Sequence, residues 1–307
     1  MRISSSMVAG SYLADLHQQQ EQLYKVQREA ATNKRIVDPS DDPGGSIQAS
    51  GLHTQKQVID QYLSNLDDAR QHVEHSETVV TTAQALISSA HKLALKGAGD
   101  TSTADARAAL GKQVNDLLEE AATQANDSYL GTYTMAGVNT NTAPYTVTRD
   151  VNGQITSVAA PAASVSGWIN RQIGTAVVKV NLNGSDVFGG AGSPVGSVDY
   201  FQTLVQLRDA LNSNNGPAVT ALMPQLTKLE DQVGVQLTVT GAGTSRLDRL
   251  QSALESQSLD TQKHLSSLED ADTARVAIDL QTAQAVYQQA LQIGNKILSL
   301  GLGSLLG

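Results

Sequence analysis

The sequence predicts a mainly α protein with an inserted β domain, built as a long antiparallel coiled-coil helical bundle made from both chain ends. Three observations predict it. A heptad series of apolar residues runs from Leu52 to Ala94, and a second helical-period series runs from Leu247 to Ile297. Between them the hydrophobic period falls from about 3.6 to about 2, the change that separates helix from strand.

Composition agrees with this class. A chain of 307 residues has room for a sizeable core in one large domain or roughly two to three smaller ones. Aromatic residues are only 4% of it, whereas Ala, Gln, Ser and Thr are abundant, the bias of long helices packed through small side chains. The formal net charge is −9 and Lys and Arg are scattered, which argues against a phosphate-binding surface and hence against nucleic acid as a partner. The absence of cysteine excludes disulfides, thiolate chemistry and cysteine-ligated metals. No run of about 18 apolar residues occurs, so no membrane span is expected, and the amino terminus lacks the continuous apolar core of a secretory signal.

The first helical segment carries a stripe at Tyr12, Leu16, Leu23, Val26 and Ala30, interrupted by Gln19 and Gln20, and would be marginal alone. It stops at "RIVDPSDDPGGSIQAS". There Asp38-Pro39 ends one helix, Asp42 is a good N-cap, and Pro43 suits a first helical position because its missing N–H would be unpaired anyway. A metal loop built from Asp38, Asp41 and Asp42 is the chemical alternative, but the alternating ligands, central Gly and distant Glu of a calcium loop do not line up.

The second segment, written in sevens, places Leu52, Ile59, Leu66, Val73, Val80, Ile87 and Ala94 in one row. Tyr62, Ala69, Ser76, Ala83 and Ala90 form the other, so large residues alternate with mostly small ones and a partner helix can approach closely. A third helix follows "GAGDTSTADARAALGKQ", with Ser102 and Asp105 spaced as a capping box and Leu110, Val114, Leu117 and Ala121 as its stripe, packing back on the second.

Residues 137–198 read as the β insertion. "YTVTRDVNGQITSV" alternates on both sides of Asn152-Gly153, a strong hairpin signal, and a further strand is expected to end at Asn183-Gly184 before the glycine-rich "GGAGSPVG". Two more helices are expected at about 199–212 and from Pro217 onward, although "VGVQLTVTGAGTS" is poor helix material by propensity. The closing stripe runs through Leu247, Leu250, Leu254, Leu265 and Leu268, then Val276, Leu280, Ala283, Tyr287, Ala290, Gly294 and Ile297. Its phase slips at "EDADTA", the mark of a stutter or helix break.

Candidate chemistry is sparse. His72 and His75 fall outside the heptad seam and read as a solvated face, since a catalytic zinc usually needs three protein ligands. "GGAGSPVG" is followed by no Lys-Ser/Thr and lacks the strand-to-helix setting of a phosphate loop. Glu119-Glu120 and Glu269-Asp270 are adjacent pairs that point in different directions on a helix and read as surface charge. The sequons at Asn126 and Asn183 matter only in a eukaryotic secretory route. Trp168 is expected to pack in the β insertion; exposed, it would mark a binding site. No nucleophile, base and orienting group can be assembled, so no enzyme activity and no cofactor or metal is expected.

"MRIS" at the start, "ATNKRIVDPSDDP" before the heptad helix, and "GAGTSRLDRLQ" through "LEDADTARVAIDLQTAQAVYQQALQIGNKILSLGLGSLLG" at the end carry a family resemblance. Covering about the first 135 and last 70 residues, they resemble the hook-filament junction proteins of bacteria, the flagellar hook-associated protein 3 family of the flagellin-like superfamily. Flagellins share the terminal helices but typically open with an Ile-Asn-containing start and carry a Ser-Gly-Leu-Arg-Ile turn. Here Asn33-Lys34-Arg35-Ile36 leads to Pro39-Ser40-Asp41-Asp42-Pro43, with Asn33 where the family usually has Gly.

The resemblance implies a terminal helical assembly domain of residues 1–42 plus 273–307, a helical bundle domain of 43–136 plus 199–272, and the inserted β domain of 137–198. Asp38, Pro39, Ser40, Asp41, Asp42 and Pro43 would form the domain-boundary turn. Leu13, Leu16, Leu23, Val26, Leu280, Tyr287, Ile297, Leu298, Leu300, Leu302, Leu305 and Leu306 would form the assembly interface. It further implies export by the flagellar type III apparatus with a cytoplasmic chaperone, an extracellular place in the flagellum, and partners in hook-associated protein 1, flagellin and a ring of like subunits. A flagellin-like filament subunit is the nearest alternative. A coiled-coil signalling or binding module would need a membrane span or output domain that the sequence does not offer, and a hydrolase acting from the β insertion is the weakest reading.

Overall fold

A computed structural model describes residues 5–160, 167–190 and 193–303. Its elements run α1 (Ser5–Thr32), α2 (Pro43–Ala98), α3 (Ala104–Ala125), β1 (Ser128–Tyr129), β2 (Thr132–Tyr133), β3 (Thr146–Arg149), β4 (Ile155–Ala159), β5 (Asn170–Ile173), β6 (Ala176–Lys179), α4 (Gly184–Val187), α5 (Tyr200–Asn212), α6 (Gly216–Glu269) and α7 (Thr273–Gly303). The chain is mainly α with a β-containing insertion, as the periodicity predicts. It forms two compact units: Gln61–Leu254, and Met1–Asp60 with Glu255–Gly307; α2 and α6 each contribute to both.

In the Gln61–Leu254 unit the heptad rows are the core. Leu66, Ala69, Ala83, Val80, Ile87, Ala90 and Ala94 are fully buried, Val73 and Ser76 nearly so, and Tyr62 half-buried. α6 runs antiparallel to α2. Arg70 donates to Gln251 Oε1 at 2.9 Å and pairs with Asp248 at 3.4 Å, Thr244 faces Glu77, and Ser88 and His91 both contact Glu230, at 3.0 and 2.9 Å. Residue numbers fall on one helix as they rise on the other, which fixes the register. The segment "VGVQLTVTGAGTS" lies inside α6 as helix throughout. Its low propensity is overridden by burial of Val233, Thr240 and Leu247 against the bundle.

α3 buries Val114, Leu118, Ala121 and Ala125 in the core shared with α2 and Gly111 against Arg208 and Asn212 of α5, while Leu110 and Leu117 sit at the core's margin. Its N-cap is Thr103, whose hydroxyl accepts from Ala106 N at 3.2 Å. Ser102, the expected cap, instead donates to Lys96 O at 2.7 Å. Buried Arg107 completes the corner. Its guanidinium donates to Gly97 O, Gly99 O and Asn214 Oδ1, satisfying carbonyls left open at the end of α2.

The inserted strands form three separate antiparallel ribbons, β1–β2, β3–β4 and β5–β6. Asn152-Gly153 turns the β3–β4 hairpin as expected. Gly153 takes φ +81°, Asp150 Oδ1 accepts from Asn152 N and Gln154 N, and a register shift falls between Thr148 and Arg149. Asn183-Gly184 is no hairpin turn: Asn183 bridges Ala136 and precedes the short helix α4. Both phenylalanines of the chain, Phe188 and Phe201, stack at 5.4 Å between Tyr145 and Tyr200. Tyr200 Oη donates to Ala83 O at 2.8 Å and Tyr145 Oη to Gly189 O at 3.2 Å, so the few aromatics seal the insertion against the bundle with their polar ends satisfied.

A close approach makes Gly184 essential there. A Cβ at this position would lie 2.6 Å from Met135 O, and Gly184 N donates to that same oxygen at 3.1 Å, so neither backbone can retreat. Gly184→Ala is expected to destabilise the unit by about 1 to 3 kcal/mol. A lowered melting temperature by circular dichroism checks this; an unchanged one would show that the insertion yields.

Candidate functional site

The other unit centres on the chain ends. α1 and α7 pack along their stripes as an antiparallel pair: Tyr12 Oη donates to Ala290 O near one end, and Lys34 bridges Asp270 at the other. Small residues set the spacing, for a Cβ on Gly294 would fall 2.7 Å from Tyr12 ring atoms. Val26 and Val276 are buried, and Tyr12, Leu16, Leu23, Leu280, Ala283 and Tyr287 are half-buried. Leu13 is 54% exposed.

Thus five of the twelve residues expected at an assembly interface, Leu16, Leu23, Val26, Leu280 and Tyr287, are covered within the chain on the paired helices. Of the expected residues Leu13 faces outward, and with it Tyr24 on the same stripe of α1, while Ile278, Val286 and Ile293 are exposed at helical spacing along α7. Ile297, Leu298, Leu300 and Leu302 fall on the last turns of α7, whereas Leu305 and Leu306 lie outside the described residues.

The turn between α1 and α2 shows what its aspartates do. Arg28 donates to Asp38; Asp41 Oδ2 accepts from Asp38 N at 2.9 Å and Val37 N at 3.2 Å, with Lys25 3.5 Å from its other oxygen. Asp42 Oδ1 accepts from Gly45 N at 2.9 Å, capping α2 at the expected residue, with Pro43 first in the helix. These N–H donors hold the Asp41 and Asp42 carboxyls below the usual carboxylate range: Asp38 N acts first on Asp41 and Gly45 N first on Asp42, against some burial. Each carboxylate serves a backbone donor or a cation. Asn33, where the family resemblance anticipates Gly, takes φ +53°, a left-handed conformation that asparagine tolerates at a helix C-terminus.

A second fastening lies at the α6–α7 break, where the phase slip falls as expected. Glu269 is not surface charge. It is 7% exposed and accepts from Lys34 Nζ and contacts His53 Nε2, each at 2.8 Å, while Arg35 N donates to Glu269 O and Ala271 N to Asn33 O. Burial pushes its carboxyl up, but the hydrogen bonds from Lys34 and His53 outweigh it and leave the group lowered. A depressed carboxyl contributes stability present above its unfolded value near 4.3 and lost as pH falls through its folded value. The wild-type protein is therefore expected to lose more stability between about pH 6 and about pH 3 than Glu269→Gln, whose amide does not titrate there. Parallel melting curves would show the difference; identical acid slopes would contradict the coupling.

His72 and His75 also depart from the solvated face expected of them. Both pack on Tyr129 of β1, His72 edge-on at 5.3 Å and His75 stacked at 4.8 Å, and His75 pairs with Asp127. Burial, with Arg171 adding to it, lowers the His72 pKa. Among the described residues no three His, Asp or Glu side chains are grouped as metal ligands.

A profile for the bacterial flagellin N-terminal helical region matches residues 3–140. Flagellar hook-associated protein 3 of Escherichia coli K12 is 30% identical over 146 residues, 47% of this chain and 46% of that protein. The Salmonella typhimurium protein of the same name is 28% identical over the same length. These matches span about half the length of the curated relatives. By structure the chain is similar to a putative flagellar hook-associated protein from Vibrio parahaemolyticus, with TM-score 0.64 at 18% identity over 75% of this chain and all of that one. It is also similar to the flagellar junction protein FlgL from Legionella pneumophila, with TM-score 0.57 at 13% identity over 72% of this chain and all of that one. At these identities the solved structures establish the fold, and the sequence matches establish similarity over about half of the chain. Over its first part the chain is similar in sequence to the bacterial flagellin N-terminal helical region, over about half its length it is similar to two flagellar hook-associated proteins 3, and its fold is that of the solved hook-associated and junction proteins.

Proposed function

We propose that the chain is a structural adaptor at the hook-filament junction, a ring of like subunits joining the hook-associated protein 1 layer to the flagellin filament. It is a component of the bacterial flagellum, exported and extracellular. The observation that carries the reading is the α1–α7 pair, whose inner stripes meet each other while a second set of apolar side chains, Leu13, Tyr24, Ile278, Val286 and Ile293, is left exposed. An exposed apolar stripe on paired terminal helices suits packing between subunits of an axial structure.

In this reading residues 1–42 with 273–307 are the assembly domain, with Leu16, Leu23, Val26, Leu280 and Tyr287 keeping the pair together. Ile297, Leu298, Leu300, Leu302, Leu305 and Leu306 add to the packed tube. The turn from Asp38 to Pro43 and the Glu269 clasp separate this domain from the bundle of 43–136 with 199–272, and the β insertion of 137–198 faces outward. A flagellar export chaperone covers the apolar ends before secretion.

Deleting the gene tests this. Hooks without filaments and flagellin in the culture medium are expected; normal filaments on the deletant would reject it.

A further inference from the structure

Beside the β5–β6 ribbon, within the Gln61–Leu254 unit, lies a cavity of about 480 Å³ walled by the ribbon, α2 and α6. Its floor includes Val73, Val178 and Val180, members of a small buried cluster with Leu66 and Leu247, so the base is rigid. Trp168 stands in the wall 37% exposed, contrary to its expected packing inside the insertion. Its position is fixed from both sides: Asn181 Nδ2 donates to Gly167 O at 3.0 Å, and Ile169 N donates to Asn181 Oδ1 at 2.6 Å. One amide therefore clamps both residues flanking the indole, the kind of support that holds a recognition group in place without a ligand.

Charge narrows what the cavity would take. Lys179 Nζ lies 4.0 Å from the centroid of the Trp168 ring, and Arg246 of α6 lines the same space. Elsewhere in this unit Arg70, Arg149 and Arg208 are joined to carboxylates, whereas no ion pair among the described residues involves Lys179 or Arg246. Two cations with no carboxylate partner among the described residues, one of them held over the indole ring, on a protein of net charge −9, are complementary to a small anion carrying an apolar face.

A volume of this size belongs to small-molecule sites. Nucleic acid would need a longer basic track. An acidic peptide would use the cations but has no requirement for the indole. A pyranose ring presents axial C–H groups to the negative face of an aromatic ring, and a carboxylate on that ring reaches the ammonium and guanidinium. Asn170, also in the wall, offers an amide to ring hydroxyls.

We propose that this cavity is a binding site for an acidic saccharide, a hexuronate unit whose carboxylate draws Lys179 off the Trp168 ring to pair with it and with Arg246, leaving the indole face to the sugar ring. The proposal stands apart from the junction reading, since it uses neither terminal helix.

Trp168 is the single tryptophan of the chain, so its fluorescence reports this site alone in the full-length protein. Digalacturonate is expected to change the emission saturably, and its neutral methyl ester to bind at least about tenfold more weakly. Lys179→Gln and Arg246→Gln, each confirmed folded by its melting curve, should weaken digalacturonate to a similar degree while keeping the fluorophore. Trp168→Phe, followed by calorimetry, should also lose affinity. Absence of a saturable response, an equal response to the neutral ester, an equal response to triglutamate, or full affinity in both Gln variants would each overturn the proposal. The triglutamate outcome would reassign the cavity to an acidic peptide.

Discussion

Replacing Leu66 by Asp is expected to unfold the Gln61–Leu254 unit at ordinary temperature. Leu66 is fully buried among the apolar side chains of Ala69, Val73, Ile173, Val178, Val180 and Leu247, a setting that disfavours a carboxylate. Losing the leucine contacts costs about 2 to 5 kcal/mol by comparison with truncations to alanine, and stranding an unpaired charge adds several more. Against a typical total stability of about 5 to 15 kcal/mol, that sum consumes most or all of the margin. Val80→Asp, fully buried in the larger cluster, should behave alike, while Thr81→Ala next to it on the exposed face should change the midpoint little. Urea titration followed by circular dichroism separates the cases. A folded Leu66→Asp protein with a near-native midpoint would show that the heptad seam is not what holds the helices together.

The second large effect concerns assembly rather than folding. Serine at Ile278, Val286 and Ile293 together should leave the melting transition of the soluble monomer almost unchanged, because these side chains are 65%, 37% and 53% exposed in it. If each is covered in the flagellum, their burial is worth about 1.5 to 3 kcal/mol apiece, or roughly 5 to 9 together, enough to decide whether a subunit stays in place. The expected phenotype is a secreted variant with no filaments. Secretion into the medium must be measured beside filament counts, since a variant that is not exported says nothing about packing. Secreted variant together with normal filaments would place the assembly surface elsewhere.

Features set by local spacing were legible in the sequence. The rows from Ile59 to Ala94 could be read because a heptad repeat has one period and one buried seam, and the Asp42-Pro43 helix start because capping chemistry is local. Features that depend on distant partners were not. Glu269 looked like surface charge because Lys34 and His53 lie at the other end of the chain. His72 and His75 looked solvated because Tyr129 reaches them from a β1–β2 ribbon that turns on Leu130 and Gly131, both at positive φ, with no Asn-Gly to announce it.

Two local rules also pointed the wrong way. Ser102 and Asp105 satisfy the capping-box spacing, but Thr103 takes the cap because Ser102 is committed to Lys96 O. Asn183-Gly184 is a common hairpin pair, yet the bridge from Asn183 to Ala136 and the close contact with Met135 O make it the start of a helical turn. At the candidate site the stripe residues were found but not their partition. Period alone identifies apolar faces on α1 and α7, and only the packed pair shows which face is already occupied and which is left for another molecule.

A junction adaptor forms a layer at one place in the flagellum rather than a polymer along it. Immunogold electron microscopy of isolated hook-filament structures tests that directly, using an antibody against a peptide covering Asp150 to Gln154, the exposed tip of the β3–β4 hairpin. Gold confined to a single band between hook and filament is the expected result. Gold distributed along the filament would contradict it and identify a filament subunit instead.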